Sequence, residues 1–327
     1  MYQWLTHIRK QYHFRILNYL LINFLWKLRF PLGMIKGGGG HSHARLTPKE
    51  SIKHLEQIFK WYREYGNIES FKGDCVEIGP GDNAGVALLM RSNGAKSVTL
   101  IDRFYTPRDH HHQEKIYEAL SAQYKIDFLK NGSVWNEEDL KGIHWKTGLS
   151  AEKYFKDAVS QKVNFDAIVS CAVMEHLYDP LGCLSDMITC LKKGGTIIHC
   201  IDFRDHGMFE PRYHPLKYLS IPKHLYKIMT RQSGDPNRIL HFDYRQFLEN
   251  LNDSISFKIF VWMLVGGIEL NPFVEIEFVP EELWSESITL VEKWKKEFSK
   301  EFKNKSNKDL AVAGICLVIK KPYEKSN

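Results

Sequence analysis

The stretch VEIGPGDNAG, Val76 to Gly85, packs three glycines into ten residues between an apolar run and a helix-like one. DCVEIG reads as a short buried strand, and AGVALLMRSNG as a helix closed by Gly94. Bare backbone at such a junction lets the chain approach a ligand closely, and the helix start offers N–H groups to it. The period repeats downstream. SVTLID, GIHWKTG, FDAIVSC, GTIIHCIDF, FKIFVWMLV and LAVAGICLVIKK are further strand-like runs, interleaved with helical ones such as DPLGCLSDMITCLKKGG and DYRQFLENL. Strands alternating with helices predict an α/β fold: an open, mostly parallel, seven-stranded sheet covered by helices on both faces.

Charge divides the chain. Residues 1–49 hold eight Lys or Arg and no acid, so the remainder carries 37 bases (45 − 8) against 39 acids. The body therefore lacks the basic footprint of a nucleic-acid binder. Eleven residues separate Arg15 from Lys27, nine of them apolar. As a helix they reach roughly 16 Å, short of the about 30 Å of a bilayer core. The Gly-rich stretch after Phe30 lacks a clear small-x-small cleavage site. Two readings remain: residues 1–36 lie on an anionic membrane face, or the helix packs on its own domain or a second subunit. KGGGGHSHARLTPKE then breaks the chain, so residues 1–46 read as a basic apolar arm with a Gly-rich linker and 47–327 as the main domain. Thr47-Pro48 starts a helix that Gly66 ends. A long insert at about 203–240, rich in Arg, His, Tyr and Pro, reads as a substrate cap. Six cysteines without a CxxC pair predict reduced thiols and a cytoplasmic protein, possible contact with the inner membrane face included.

Gly79, Gly81 and Ala84 satisfy a loose dinucleotide pattern, and Asp102 ends the next strand 21 residues after Gly81, where a carboxylate can accept both hydroxyl hydrogens of a ribose. NAD and S-adenosylmethionine both carry that ribose. Glu77 discriminates: it repels a pyrophosphate but suits a sulfonium ligand with an ammonium group. With FDAIVSCAVMEHLYDP and LKKGGTIIHC following in order, residues 48–265 and 310–320 resemble the class I S-adenosylmethionine-dependent methyltransferases, especially the branch acting on small molecules and lipids. The resemblance implies a Rossmann-like sheet with its last strand antiparallel and S-adenosyl-L-methionine as cofactor. It implies that Glu77, Gly79 and Gly81 hold the methionyl end, and that Asp102 takes the ribose. Ile101 and Arg103 would flank the adenine, Ser150 and Ala151 of GLSAE would meet its amino group, and Cys171 and Ala172 would face the cofactor.

Methyl transfer to a hydroxyl calls for a base near the methyl. His176 is the first candidate, with Glu175 orienting it or binding substrate; His206 and His214 in the cap come next. Arg204, Arg212 and Lys217 are candidates for holding a phosphate or carboxylate of the substrate. His41, His43 and the histidines at 110–112 lack acids or cysteines at ligand spacing, so no metal is expected. His41 or Arg45 is expected to fold over the cofactor. The expected function is methyl transfer to an O or N of a small or lipid- or glycan-linked acceptor; an RNA methyltransferase and a non-catalytic binding protein are the alternatives. Oligomeric state stays open.

Overall fold

The structure is a computed structural model that describes residues 12–36, 40, 42–127, 140–209, 214–251 and 254–323. Helix α1 (Tyr12–Arg29) precedes the main domain. Helix α2 (Pro48–Gly66) follows; Thr47 caps it, its hydroxyl accepting the Glu50 N–H while the Glu50 carboxylate accepts the Thr47 N–H. This reciprocal box satisfies two backbone donors that a helix start leaves bare. Gly66 is not the cap. Asn67 takes the left-handed turn at φ 47°, and Gly66 is needed for contact: a Cβ there would sit 2.4 Å from Ile198.

The alternation then runs β1 (Asp74–Ile78), α3 (Gly85–Ser92), β2 (Ser97–Asp102), α4 (His110–Tyr124), β3 (Ile143–Thr147), α5 (Ala151–Ser160), β4 (Phe165–Cys171), α6 (Pro180–Thr189) and β5 (Leu191–Asp202). The cap contributes α7 (Lys223–Thr230), after which come α8 (His241–Glu249), β6 (Ser256–Leu264), β7 (Ile268–Glu275), α9 (Glu281–Lys295) and β8 (Val312–Lys320). The sheet has eight strands in the order β3-β2-β1-β4-β5-β8-β6-β7, one more than expected. β8 lies antiparallel between β5 and β6, as expected for the last strand. The extra strand, β7, pairs antiparallel with β6 at the sheet edge, where Pro272 removes no essential ladder bond.

Helices α2, α3 and α4 bury Leu55, Tyr62, Leu89 and Ile116 on one face of the sheet; α5, α6, α8 and α9 bury Phe155, Leu184, Tyr244 and Trp284 on the other. Because β1, β2, β4 and β5 run parallel, their carboxyl ends share one edge, and the loops there face one crevice. Thr47→Ala removes the reciprocal cap and is expected to lower unfolding stability by about 1 kcal/mol, read from the denaturant midpoint at unchanged slope.

Candidate active site

Gly79 and Gly81 occupy the left-handed region, at φ 68° and 66°. Space as well as conformation demands glycine. A Cβ on Gly79 would lie 2.4 Å from the Val173 side chain, and one on Gly81 would lie 2.8 Å from the Gly40 carbonyl oxygen. Gly40 thus lies directly over the turn. Asp82 holds it there, accepting the His43 and Ala44 N–H groups at 3.3 and 2.8 Å. Arg45 is exposed and lines neither cavity described below; Gly40, not Arg45, covers the turn. His41 and Arg212 lie outside the described residues.

Two carboxylates face the crevice. Glu77 is 6% exposed, its Oε2 has no hydrogen-bond partner, and burial pushes its pKa up to about 8. Asp102 ends β2 and accepts the Phe104 N–H at 2.9 Å. Burial raises it to about 6, against the downward pull of that bond and of Arg108. An orphaned buried carboxylate beside a bare turn fits a cationic ligand, and a second acid one strand away fits its ribose. Arg103 spans the far wall, its guanidinium 4.3 Å over Phe30 and 4.1 Å over Tyr178. Ser150 caps α5 by accepting the Lys153 N–H at 3.3 Å, and Ala151 is buried behind it. Gly79, Gly81, Asp102, Arg103, Ser150 and Ala151 line one cavity of about 240 Å³. The aromatic walls Phe104 and Tyr178 went unread in the sequence.

A second cavity of about 670 Å³ adjoins the first; Gly79, Gly81, His176 and Gly234 line both, and Glu77 and Cys171 line the second. His176 ends a 3-10 turn, Met174–His176, after β4. Its Nδ1 lies 2.8 Å from the Gly234 carbonyl. A carbonyl only accepts, so Nδ1 carries the hydrogen and Nε2 keeps its lone pair. Burial, with His206 beside it, lowers the pKa of His176 to about 4. The cap's Asn237 clamps the turn, its amide donating to the Met174 and Leu177 carbonyls at 2.8 and 3.0 Å.

Glu175 does not orient His176. It is 2% exposed, Oε1 accepts the Asp202 N–H at 3.2 Å, and that oxygen lies 3.7 Å from His206 Nε2. Burial holds its pKa well above the usual carboxylate range. His206 meets His176 edge-on at 4.8 Å between ring centres and sits at φ 51°, in the left-handed region that few residues other than glycine enter. Ligand atoms of Glu175, His176 and His206 lie within 4.8 Å of one another, a spacing compatible with a cation. The histidines first weighed as ligands stand elsewhere: those at 110–112 open α4 behind Asp109, and the His112 ring bonds the His43 carbonyl.

Of the expected anion-binding residues, Arg204 and Lys217 are already engaged. Arg204 chelates Asp202, with Nη2 2.6 Å from Oδ2, and Lys217 pairs with Glu297. Neither lines the two cavities. His214 stacks on Trp294 at 4.3 Å, and burial lowers its pKa to about 4. The larger cavity is instead lined by Tyr19, Asp205, His206 and Asp235; burial raises Asp205 and brings Asp235 to about 6.

Sheet order and crevice define an S-adenosylmethionine-binding α/β enzyme of the methyltransferase class. A family model described as a methyltransferase domain matches residues 49–254, and the chain belongs to that family. No curated protein sequence matches it significantly. Among solved structures it is similar to phosphoethanolamine N-methyltransferase 2 of Haemonchus contortus in complex with S-adenosyl-L-methionine, at 14% identity over 83% of this chain and 52% of that one, with a TM-score of 0.38. The N-methyltransferase NodS of Bradyrhizobium japonicum is 12% identical over 84% and 97% of the two chains, with a TM-score of 0.36. The plantazolicin methyltransferase BamL is 11% identical over 95% and 99%, with a TM-score of 0.39.

Two measurements check the crevice. Asp102→Ala should weaken S-adenosylhomocysteine binding roughly 100-fold by calorimetry, the ~3 kcal/mol of charge-assisted bonds to a ribose. Glu77, raised to about 8, is mostly protonated at pH 7 without a ligand, and a cation ionises it. S-adenosylmethionine binding at pH 7 should therefore release a proton, seen as a buffer-dependent heat, and Glu77→Gln should abolish the release.

Proposed function

We propose that the protein transfers a methyl group to an oxygen or nitrogen of a small or lipid- or glycan-linked acceptor held in the larger cavity. Bound S-adenosylmethionine supplies an electrophilic methyl on a sulfonium, so the chain's own task is to seat the nucleophile, exclude water and remove its proton. Glu77, Gly79 and Gly81 receive the methionyl end where the two cavities join, Asp102 receives the ribose, Arg103, Ser150 and Ala151 form the remaining walls of the smaller cavity, and Cys171 faces the cofactor from the larger one. The observation that carries the catalytic assignment is the His176 ring, common to both cavities and holding a free Nε2 lone pair. His176 takes the acceptor proton. His206, edge-on to that ring, helps burial keep the imidazole neutral and ready to accept the proton.

Asp205 and Asp235 make the acceptor cavity unfavourable to anions, and Arg204 and Lys217, once expected to offset a phosphate, are bound elsewhere. A hydroxyl- or amine-bearing acceptor suits this lining better than an anionic one. Six free thiols favour a cytoplasmic setting, and a lipid-linked acceptor would require work at the inner membrane face.

Cell extract incubated with methyl-labelled cofactor should place label in a lipid, glycan or small-molecule fraction; label in RNA would overturn the reading. His176→Ala should lower kcat about 100-fold or more while cofactor Kd stays within a factor of two. Because burial depresses the imidazole, the acid limb of kcat should lie below pH 6.5, with activity lost as pH falls. Chelator should leave the rate unchanged; loss on chelation and recovery with a divalent ion would reassign Glu175, His176 and His206 as metal ligands.

A further inference from the structure

Helix α1 is apolar on two opposite faces, and among the described residues only one is covered. Inward, Tyr12 stacks on Phe209 at 5.2 Å and its hydroxyl meets Ser220 Oγ at 2.8 Å. Asn23 Oδ1 accepts the Gln232 N–H at 2.6 Å, and Trp26 stands edge-on to Phe104 at 5.1 Å. Outward, Leu17, Leu21, Phe24, Leu25 and Leu28 repeat at helical spacing, and Leu32 extends the stripe; all are between 47% and 73% exposed. A helix fixed to a domain by one face normally turns a polar face to water. A contiguous apolar strip of this kind marks a docking surface.

We infer that α1 seats the protein on an anionic bilayer, with the Leu17–Leu28 face down. Charge selects this occupant. The first 49 residues hold eight Lys or Arg and no acid, and Lys27, on the same helix as the strip, is exposed. A second copy of the chain would bring like charges together along the same face, whereas anionic headgroups neutralise them. The mode is interfacial: no described helix is long and apolar enough to cross a membrane. The same helix lines the acceptor cavity through Tyr19 and touches the cofactor wall through Phe30, next in sequence to Arg29, beneath Arg103. Bilayer and acceptor cavity are then separated by one helix, about 10 Å across. Delivery of a lipid-linked acceptor rests on the function proposed above; docking itself does not.

The test is vesicle flotation of the full chain with phosphatidylcholine alone or mixed with phosphatidylglycerol. Flotation at least about tenfold greater with the anionic mixture, lost in high salt, is expected. The double variant Leu21→Glu, Phe24→Glu should stay in solution while binding S-adenosylhomocysteine as the wild type does, which shows that it is folded. Absence of flotation on both compositions would overturn the inference. So would a dimer in light scattering that the double variant abolishes, since the strip would then belong to a second copy. Nucleoside binding on the same samples reports separately on the methyltransferase reading.

Discussion

Two carboxylates at adjoining strand tips, with little water to solvate them, set the terms for the rest of the site. Parallel β1 and β2 deliver Glu77 and Asp102 to one edge, and the sheet leaves Glu77 without a partner. Charging an isolated buried acid is costly, so the pocket favours whatever brings positive charge to it. The glycine turn, Gly40 lying over it and the aromatic sandwich around Arg103 all serve to keep that pocket narrow and dry. Asp205 and Asp235 extend the same preference into the acceptor cavity, where neither Arg204 nor Lys217 intrudes.

The glycine turn and its two acids were legible because their signals are local. A strand, a bare turn, a helix and an acid closing the next strand occupy consecutive stretches, and each has one physical reason to be there. The acceptor half is built from contacts that no local pattern shows. Gly234 fixes the His176 tautomer from 58 positions away, and Lys217 is neutralised by Glu297 from 80 away. Arg204 is different: its partner Asp202 stands two residues earlier, so the pair was readable. β7 escaped notice because IELNPFVE carries a proline and polar alternation, features an edge strand tolerates. Gly66 looked like a helix stop for a sound reason, yet its role is clearance from Ile198, which only packing reveals.

The arm shows the same limit from another side. Its apolar run and basic flanks were plain, but composition cannot tell which residues face inward. The structure sorts Tyr12, Tyr19, Asn23 and Trp26 to the cap and cofactor side and leaves the leucine strip outward. Packing on its own domain and exposure of a second face are compatible, so the two readings of the arm were never exclusive.

One narrow gap has a further consequence. Gly40 and Gly81 come from separate segments yet occupy the same van der Waals space, each within 3.3 Å of where the other's side chain would begin. A methyl at either site would force the strands of chain apart, and a second methyl would find the room already opened. Substitutions there should therefore be strongly epistatic, and sequence drift in the linker is constrained by a position 41 residues downstream.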